Sequence, residues 1–277
     1  MITVYSETQE SSICRQFKLD IQTLVFPGGE VQVTIDHKAD PDFLLIVANL
    51  TSSQDVMTLL MVTDALKRAY PGVPIRLEMP YVPYARQDRV ANPGEALGAR
   101  VFCDLINAQC YESVTVEDPH SDVVTALLDR VRVADLTFPL QKLVTRLGNV
   151  ALVAPDAGAR KRVSKLAQTL GGLPVVCADK VRDTLTGKIS ATQVPDNIPD
   201  CDLLVIDDIC DGGRTFTELA KALRARQQVL GIKRNLYLYV THGLFSKGLD
   251  ALRADYKEIL THNDWTGQSA RCACTLL

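Results

Sequence analysis

Six short runs of aliphatic and β-branched residues punctuate the chain: Leu44–Asn49, Ile75–Met79, Ser113–Val116, Val150–Ala154, Leu203–Asp207 and Leu236–Val240. Most are apolar from end to end, with no polar residue at every second place. A strand that reads this way is buried on both faces, which is the signature of a parallel sheet covered by helices. Helix-length segments fall between the runs. Asp55–Tyr70 carries Val56, Leu59, Leu60, Leu66 and Tyr70 at helical spacing, with Ser53 available as a cap, and Arg160–Leu170 and Thr215–Arg226 read the same way. The pattern occurs about once in each half. It predicts an α/β protein of two similar domains, residues 1–140 and 141–277, divided near Pro139 to Gly148. The polar stretch Thr184–Asp200, with Pro195 and Pro199, reads as a mobile loop or hairpin beside a site.

Composition excludes several classes of function. Thirty basic residues against 33 acidic ones give a net charge of -3, so bulk charge does not hold this chain on nucleic acid or on a membrane. A membrane-spanning helix needs about 20 apolar residues, and the longest such run, Phe43 to Leu50, is far shorter. No secretory leader is visible, and the eight scattered cysteines form no CxxC pair. The setting this implies is cytoplasmic, with reduced thiols. The final Cys-Thr-Leu-Leu matches a prenylation box only formally, since Thr275 is not aliphatic and no basic stretch precedes it.

The densest chemistry lies in Leu203 to Thr217, LLVIDDICDGGRTFT. An apolar strand ends in Asp207 and Asp208, Asp211 follows, and Gly212, Gly213, Arg214 and Thr215 open a helix. A Gly-rich turn at a helix start presents backbone N–H groups and the positive end of the helix dipole to an anion. Two acids at a strand's carboxyl end accept hydrogen bonds from a vicinal diol. Together they describe a pocket for a ribose carrying a 5-phosphate, at the place where α/β sheets bind ligands. A Walker A loop is absent: upstream of Gly187-Lys188 the position that needs glycine is Arg182, and Ile189 follows the lysine.

The element resembles the 5-phosphoribosyl 1-diphosphate (PRPP) motif of the type I phosphoribosyltransferase fold. Pro80 to Arg89, PYVPYARQDR, resembles the signature of ribose-phosphate diphosphokinases (PRPP synthetases), and the resemblance spans about residues 22 to 265. It implies transfer of the β,γ-diphosphoryl group of ATP to the anomeric hydroxyl of a ribose 5-phosphate unit, with Mg²⁺ required and AMP released. On the matching positions, Phe26 would stack on adenine and Glu30 would accept from its amino group, both reaching a neighbouring subunit. Arg86, Gln87, Asp88 and Arg89 would contact ATP. His120 and Asp156 would be magnesium-site residues, the latter in a segment that continues to Arg162. Lys180 and Arg182 would be the catalytic cations of a hairpin. Asp207, Asp208 and Asp211 to Thr215 would hold the ribose phosphate. Tyr239–Ser246 resembles the family's Ala-Thr-His segment. A homo-oligomer, dimer or hexamer, is implied, with no nucleic acid or membrane partner. His37 and His262 read as surface residues, and Trp265 as packing or a lid.

The sequence departs from the family in four places. The phosphate loop normally reads Asp-Thr-Gly/Ala-Gly-Thr, whereas Asp211 to Thr215 has lost a hydroxyl and gained the Arg214 guanidinium. Gly28 stands where an Asp is usual. Val90 to Gly94 has no charge where the family has a basic flexible loop, and Leu277 ends the sequence where relatives continue into a helix. The first departure raises a larger acceptor, ADP-ribose, as an alternative to ribose 5-phosphate. A PRPP-consuming transferase and a non-catalytic regulatory homologue are the other readings. Against the last stands the presence of all the residues named above.

Overall fold

A computed structural model describes residues 1–10, 13–36, 40–182, 189–266 and 274–276. The chain divides into two compact units, Met1–Ala134 and Asp135–Leu277, a few residues ahead of the expected 140/141 division.

The first unit opens with β1 (Ile2–Glu10), β2 (Ile13–Leu19), β3 (Ile21–Val25), β4 (Val31–Ile35) and β5 (Phe43–Ala48). Then come α1 (Ser53–Ala69), β6 (Ile75–Glu78), α2 (Gly98–Asn107), β7 (Ser113–Glu117), α3 (Asp122–Leu127) and β8 (Val131–Ala134). Its six-stranded sheet runs β2-β1-β5-β6-β7-β8. The strands from β5 onward are parallel, while β1 lies antiparallel between β2 and β5. The apolar-run criterion misses β1 because polar residues interrupt it, and among its described side chains only Val4 and Ser6 are fully buried. Leu44, Ile46, Leu77 and Val114 of the sheet pack with Leu59, Val62 and Leu66 of α1 and with Phe102 and Ile106 of α2. β3 and β4 form a separate hairpin whose Val33 and Ile35 rest on this core.

Helix α1 is capped one residue earlier than expected. Ser52, not Ser53, is the N-cap, and its Oγ accepts from Asp55 N at 3.1 Å. Asp55 Oδ2 accepts from Thr51 N and Ser52 Oγ, each at 2.9 Å, and this closes the turn reciprocally. Ser53 Oγ lies 3.0 Å from Tyr84 Oη instead.

The second unit contains α4 (Thr137–Leu147), β9 (Val150–Ala154), α5 (Ala157–Thr169), β10 (Val175–Cys177), β11 (Asp179–Arg182) and β12 (Ile189–Gln193). It continues with β13 (Asp202–Cys210), α6 (Arg214–Leu230), β14 (Leu236–Gly243), α7 (Asp250–Arg253), β15 (Glu258–Asp264) and β16 (Cys274–Leu276). The sheet order is β10-β9-β13-β14-β15-β16, and every pairing is parallel. Both faces are covered, as continuous apolar strands require. Leu203, Val205, Leu236 and Leu238 pack with Phe216, Leu219 and Leu223 of α6. Leu204, Ile206 and Tyr239 pack on the other face with Leu143 of α4 and Val163 of α5. Each of these fully buried side chains contributes about 1.5–3 kcal/mol relative to exposure.

Of the stretch Thr184–Asp200, the described residues 189–200 are a hairpin arm followed by a tethered segment. β11 and β12 pair antiparallel. Val194 and Ile198 are buried in the α6-side core, which ties down the part expected to be mobile. Residues 183–188 lie outside the described set, as does His37. Among the described residues no helix is long and apolar enough to cross a membrane, and Cys103, Cys110, Cys177, Cys201 and Cys210 are not joined in disulfides.

Candidate active site

Two strand–turn–helix junctions at the carboxyl end of the second sheet carry Asp156, Asp207, Asp208 and Asp211 to Thr215 of the expected residues. At the first, β9 enters α5 through Asp156. Asp156 is the N-cap, and its Oδ1 accepts from Gly158 N at 3.0 Å and Ala159 N at 3.2 Å. The chain thus supplies its own anion to this helix start.

The second junction is built differently. β13 enters α6 through Gly212 and Gly213, and no side chain caps the helix. Gly213 is the N-cap at φ 76°, in the left-handed region that disfavours a Cβ, and an added Cβ would also sit 3.4 Å from Leu252. The first N–H groups of a helix have no acceptor inside it, so Arg214 and Thr215 present donors at an uncapped, positive helix end. Arg214 is exposed and Thr215 half-buried.

Asp207 and Asp208 lie on β13 just before this turn. Arg162, on α5, reaches them: its Nη2 is 2.6 Å from Asp207 Oδ1 and 3.7 Å from Asp208 Oδ1. Asp208 N donates to the same Asp207 oxygen at 3.0 Å. Burial pushes the Asp207 carboxyl far above the usual carboxylate range and the neighbouring Asp208 adds to the shift, with Arg162 only partly offsetting both. Asp211 is tied to the turn after β14, where Ser246 Oγ donates to its Oδ1 at 2.6 Å and Ser246 N donates to its carbonyl at 3.1 Å.

That turn adds a residue the sequence reading missed. The stem of Lys247 lies over Gly212, with its Cδ 3.5 Å from where a Cβ would sit. Lys247 follows directly on the Tyr239–Ser246 segment, so its place at the sheet's carboxyl rim was the available signal. Beneath the turn, Gly243 leaves room for the Phe245 ring, which a Cβ would overlap. His242 is buried, with Asn263 Nδ2 3.4 Å from its Nδ1. His262, expected at the surface, is half-buried in β15, and Trp265 N donates to Gly243 O at 3.0 Å.

Lys180 and Arg182 lie on β11, and their side chains fall outside the described set.

The first unit holds the other expected residues. Phe26 is exposed at the tip of the β3–β4 hairpin, where Phe26 N donates to Glu30 O at 2.9 Å, and Glu30 is exposed beside it. After β6, buried Val82 and Ala85 anchor the loop that carries Arg86, Gln87 and Arg89 outward, while Asp88 is half-buried. The Gln87 side chain lies on Gly98 at the start of α2, so closely that a Cβ there would collide with it. His120 is exposed after β7, two residues beyond Asp118, which takes a positive φ of 38°. Among the described residues no cluster of three or more His, Cys, Asp or Glu side chains is grouped as for a metal.

A doubly covered parallel sheet with acids and an uncapped Gly-rich turn at its carboxyl rim defines a phosphoribosyltransferase-type domain. Residues 128–230 match the phosphoribosyl transferase domain, and residues 6–109 match the N-terminal domain of ribose phosphate pyrophosphokinase. The chain belongs to the ribose-phosphate pyrophosphokinase family. The Aquifex aeolicus ribose-phosphate pyrophosphokinase is 31% identical over 236 residues, covering 82% of this chain and 72% of that protein. The Sulfolobus acidocaldarius protein of the same name is 29% identical over 250 residues, covering 88% and 84%. The crystal structure of phosphoribosylpyrophosphate synthetase from Mycobacterium smegmatis shares the fold, with a TM-score of 0.77 at 23% identity over 94% of this chain and 86% of that one.

Proposed function

We propose that the chain transfers the β,γ-diphosphoryl group of ATP to the anomeric hydroxyl of ribose 5-phosphate, forming PRPP and AMP. The bond from the C1 oxygen to the β-phosphorus forms as the bond from that phosphorus to the α-phosphate oxygen breaks. The β13–α6 junction carries the reading: two carboxylates stand one turn away from a helix start that no side chain caps. Asp207 and Asp208 receive the ribose diol, and Asp211 to Thr215 receive the 5-phosphate through backbone N–H groups and hydroxyl. Phe26, Glu30, Arg86, Gln87, Asp88 and Arg89 bind ATP. The exposed hairpin tip at Phe26 suits use by a second copy of the chain. Lys180 and Arg182 close over the triphosphate, in keeping with their place on a hairpin arm.

The oxygen donors fit a hard divalent cation. Asp207 and Asp208 put adjacent carboxyl oxygens at the strand end, and such cations bind through one or two carboxylates plus substrate phosphates. Asp156, Asp207 and Asp208 of the second unit would hold such a cation, His120 of the first unit is a separate magnesium-site residue, and Mg²⁺ when bound would neutralise the transferring phosphoryl oxygens. We place the activity in the cytoplasm.

A second reading has its own observation. Arg214 puts a cation into the loop where the family form has none, the Lys247 stem lies over Gly212 from the turn after β14, and neither pairs with a carboxylate among the described residues. Two cations suit a diphosphate, and ADP-ribose offers the same diol and anomeric hydroxyl. AMP release with ribose 5-phosphate and with ADP-ribose, measured in parallel, decides. Release with neither acceptor, alongside loss of PRPP in the presence of a base, would return the chain to the PRPP-consuming class.

A further inference from the structure

The reading above leaves Arg162 without a role, yet its geometry is the most constrained in the site. The residue projects from α5 toward the carboxyl end of β13, and its side chain keeps 31% of its exposure while Asp207 keeps 16%. Asp207 Oδ1 is held twice, by Arg162 Nη2 at 2.6 Å and by Asp208 N at 3.0 Å. The guanidinium also stands 3.7 Å from Asp208 Oδ1, so one planar cation spans both carboxylates. Two donors on one oxygen fix the plane of a carboxylate, and Oδ2 is then the oxygen available to a ligand.

We propose that Arg162 is a positioning residue for the acceptor: it holds Asp207 by Oδ1 so that Oδ2 receives the ribose diol, and it serves as the counter-cation of the carboxylate pair until substrate arrives. This rests on the diol assignment made above. α5 also starts at Asp156, so one rigid helix sets both its own cap and the partner of Asp207. Part of the orientation cost of binding is met before substrate arrives.

The test is a double-mutant cycle of Arg162→Met and Asp207→Asn, with Arg162→Lys as the conservative variant. KM for ribose 5-phosphate, KM for ATP and kcat are read separately. Arg162→Met is expected to raise the acceptor KM about tenfold or more while the ATP KM moves less than about twofold. In the Asp207→Asn background the same change is expected to cost under about twofold, and Arg162→Lys to recover part of the loss. Equal effects in both backgrounds, or parallel rises in both KM values with a falling Tm, would overturn the proposal in favour of simple structural support. A wild-type protein that releases no AMP would sink the PRPP reading instead. The Arg162 assignment is then read by titrating Mn²⁺ against the holding protein. Arg162→Met should tighten Mn²⁺ binding severalfold by removing the cation that competes for Asp207 and Asp208, and unchanged affinity would overturn it.

Discussion

The two helix starts at the carboxyl rim of the second sheet face the same physical problem and meet it in opposite ways. α5 begins behind Asp156, whose carboxylate satisfies two backbone N–H groups. α6 begins behind Gly213, with no side-chain cap, a left-handed φ of 76°, and cations at Arg214 and Lys247 beside the turn. A helix with glycine at its N-cap forgoes about a few tenths of a kcal/mol of capping stability relative to Ser, Thr, Asp or Asn. The difference marks which of two neighbouring junctions is built to receive an anion from outside. It also divides labour: the capped helix carries Arg162 to the acids of β13, and the uncapped one presents the phosphate cradle.

Placing a carboxylate at the uncapped junction should do the greatest damage. Gly212→Asp puts a negative charge into the cradle where a Cβ meets only the flexible Lys247 stem at 3.5 Å. The acceptor kcat/KM is expected to fall on the order of a hundredfold or more, with Tm near wild type. An unchanged kcat/KM would mean that the two junctions do not differ in function.

Asp207→Asn should separate stability from activity. Its raised native pKa means that burial favours the neutral acid. The stability this contributes is complete below the ordinary Asp value of about 3.9 and is lost as pH rises through the elevated native value. The isosteric, uncharged variant is therefore expected to melt higher than wild type in alkaline buffer and to lose that advantage at acid pH. Turnover should drop on the order of tenfold or more. A variant that melts lower across the whole range would contradict the burial argument.

Changes at the capped junction should be milder. Asp156→Ala is expected to cost about 1 kcal/mol in denaturant melts, and Asp156→Ser, which keeps a capping oxygen, only a few tenths. Activity that survives Asp156→Ser would confine this residue to capping and remove it from the metal set. Smallest of all, Ser246→Ala removes the 2.6 Å hydrogen bond to Asp211. It should raise the acceptor KM a few-fold and leave the ATP KM alone, since the turn keeps its backbone bonds to Cys210 and Asp211.

Much of this contrast was readable before any coordinates. All six runs became strands, most of them because a run apolar on both faces has few other places to go, and the acids and glycines of Leu203 to Thr217 fall where the strand-to-helix switch put them. The antiparallel β1–β2 pair was not legible: its alternation is broken by Ser6 and Thr8, and an edge pair needs little burial to form. Nor was the cap of α1, since Ser52 and Ser53 are chemically equivalent and only Asp55 three residues on selects between them. Lys247 was missed for another reason. It joins the site through the turn after β14, and sequence spacing does not report that β13 and β14 are neighbours.

The central claim concerns the fate of one atom, the β-phosphorus of ATP. We would incubate the protein with ATP, Mg²⁺ and ribose 5-phosphate and follow the mixture by ³¹P NMR. The account predicts that AMP accumulates and that the β-phosphorus reappears in a diphosphate ester on the acceptor's C1 oxygen. ADP with a singly phosphorylated sugar, or ATP left intact while added PRPP is consumed, would contradict it.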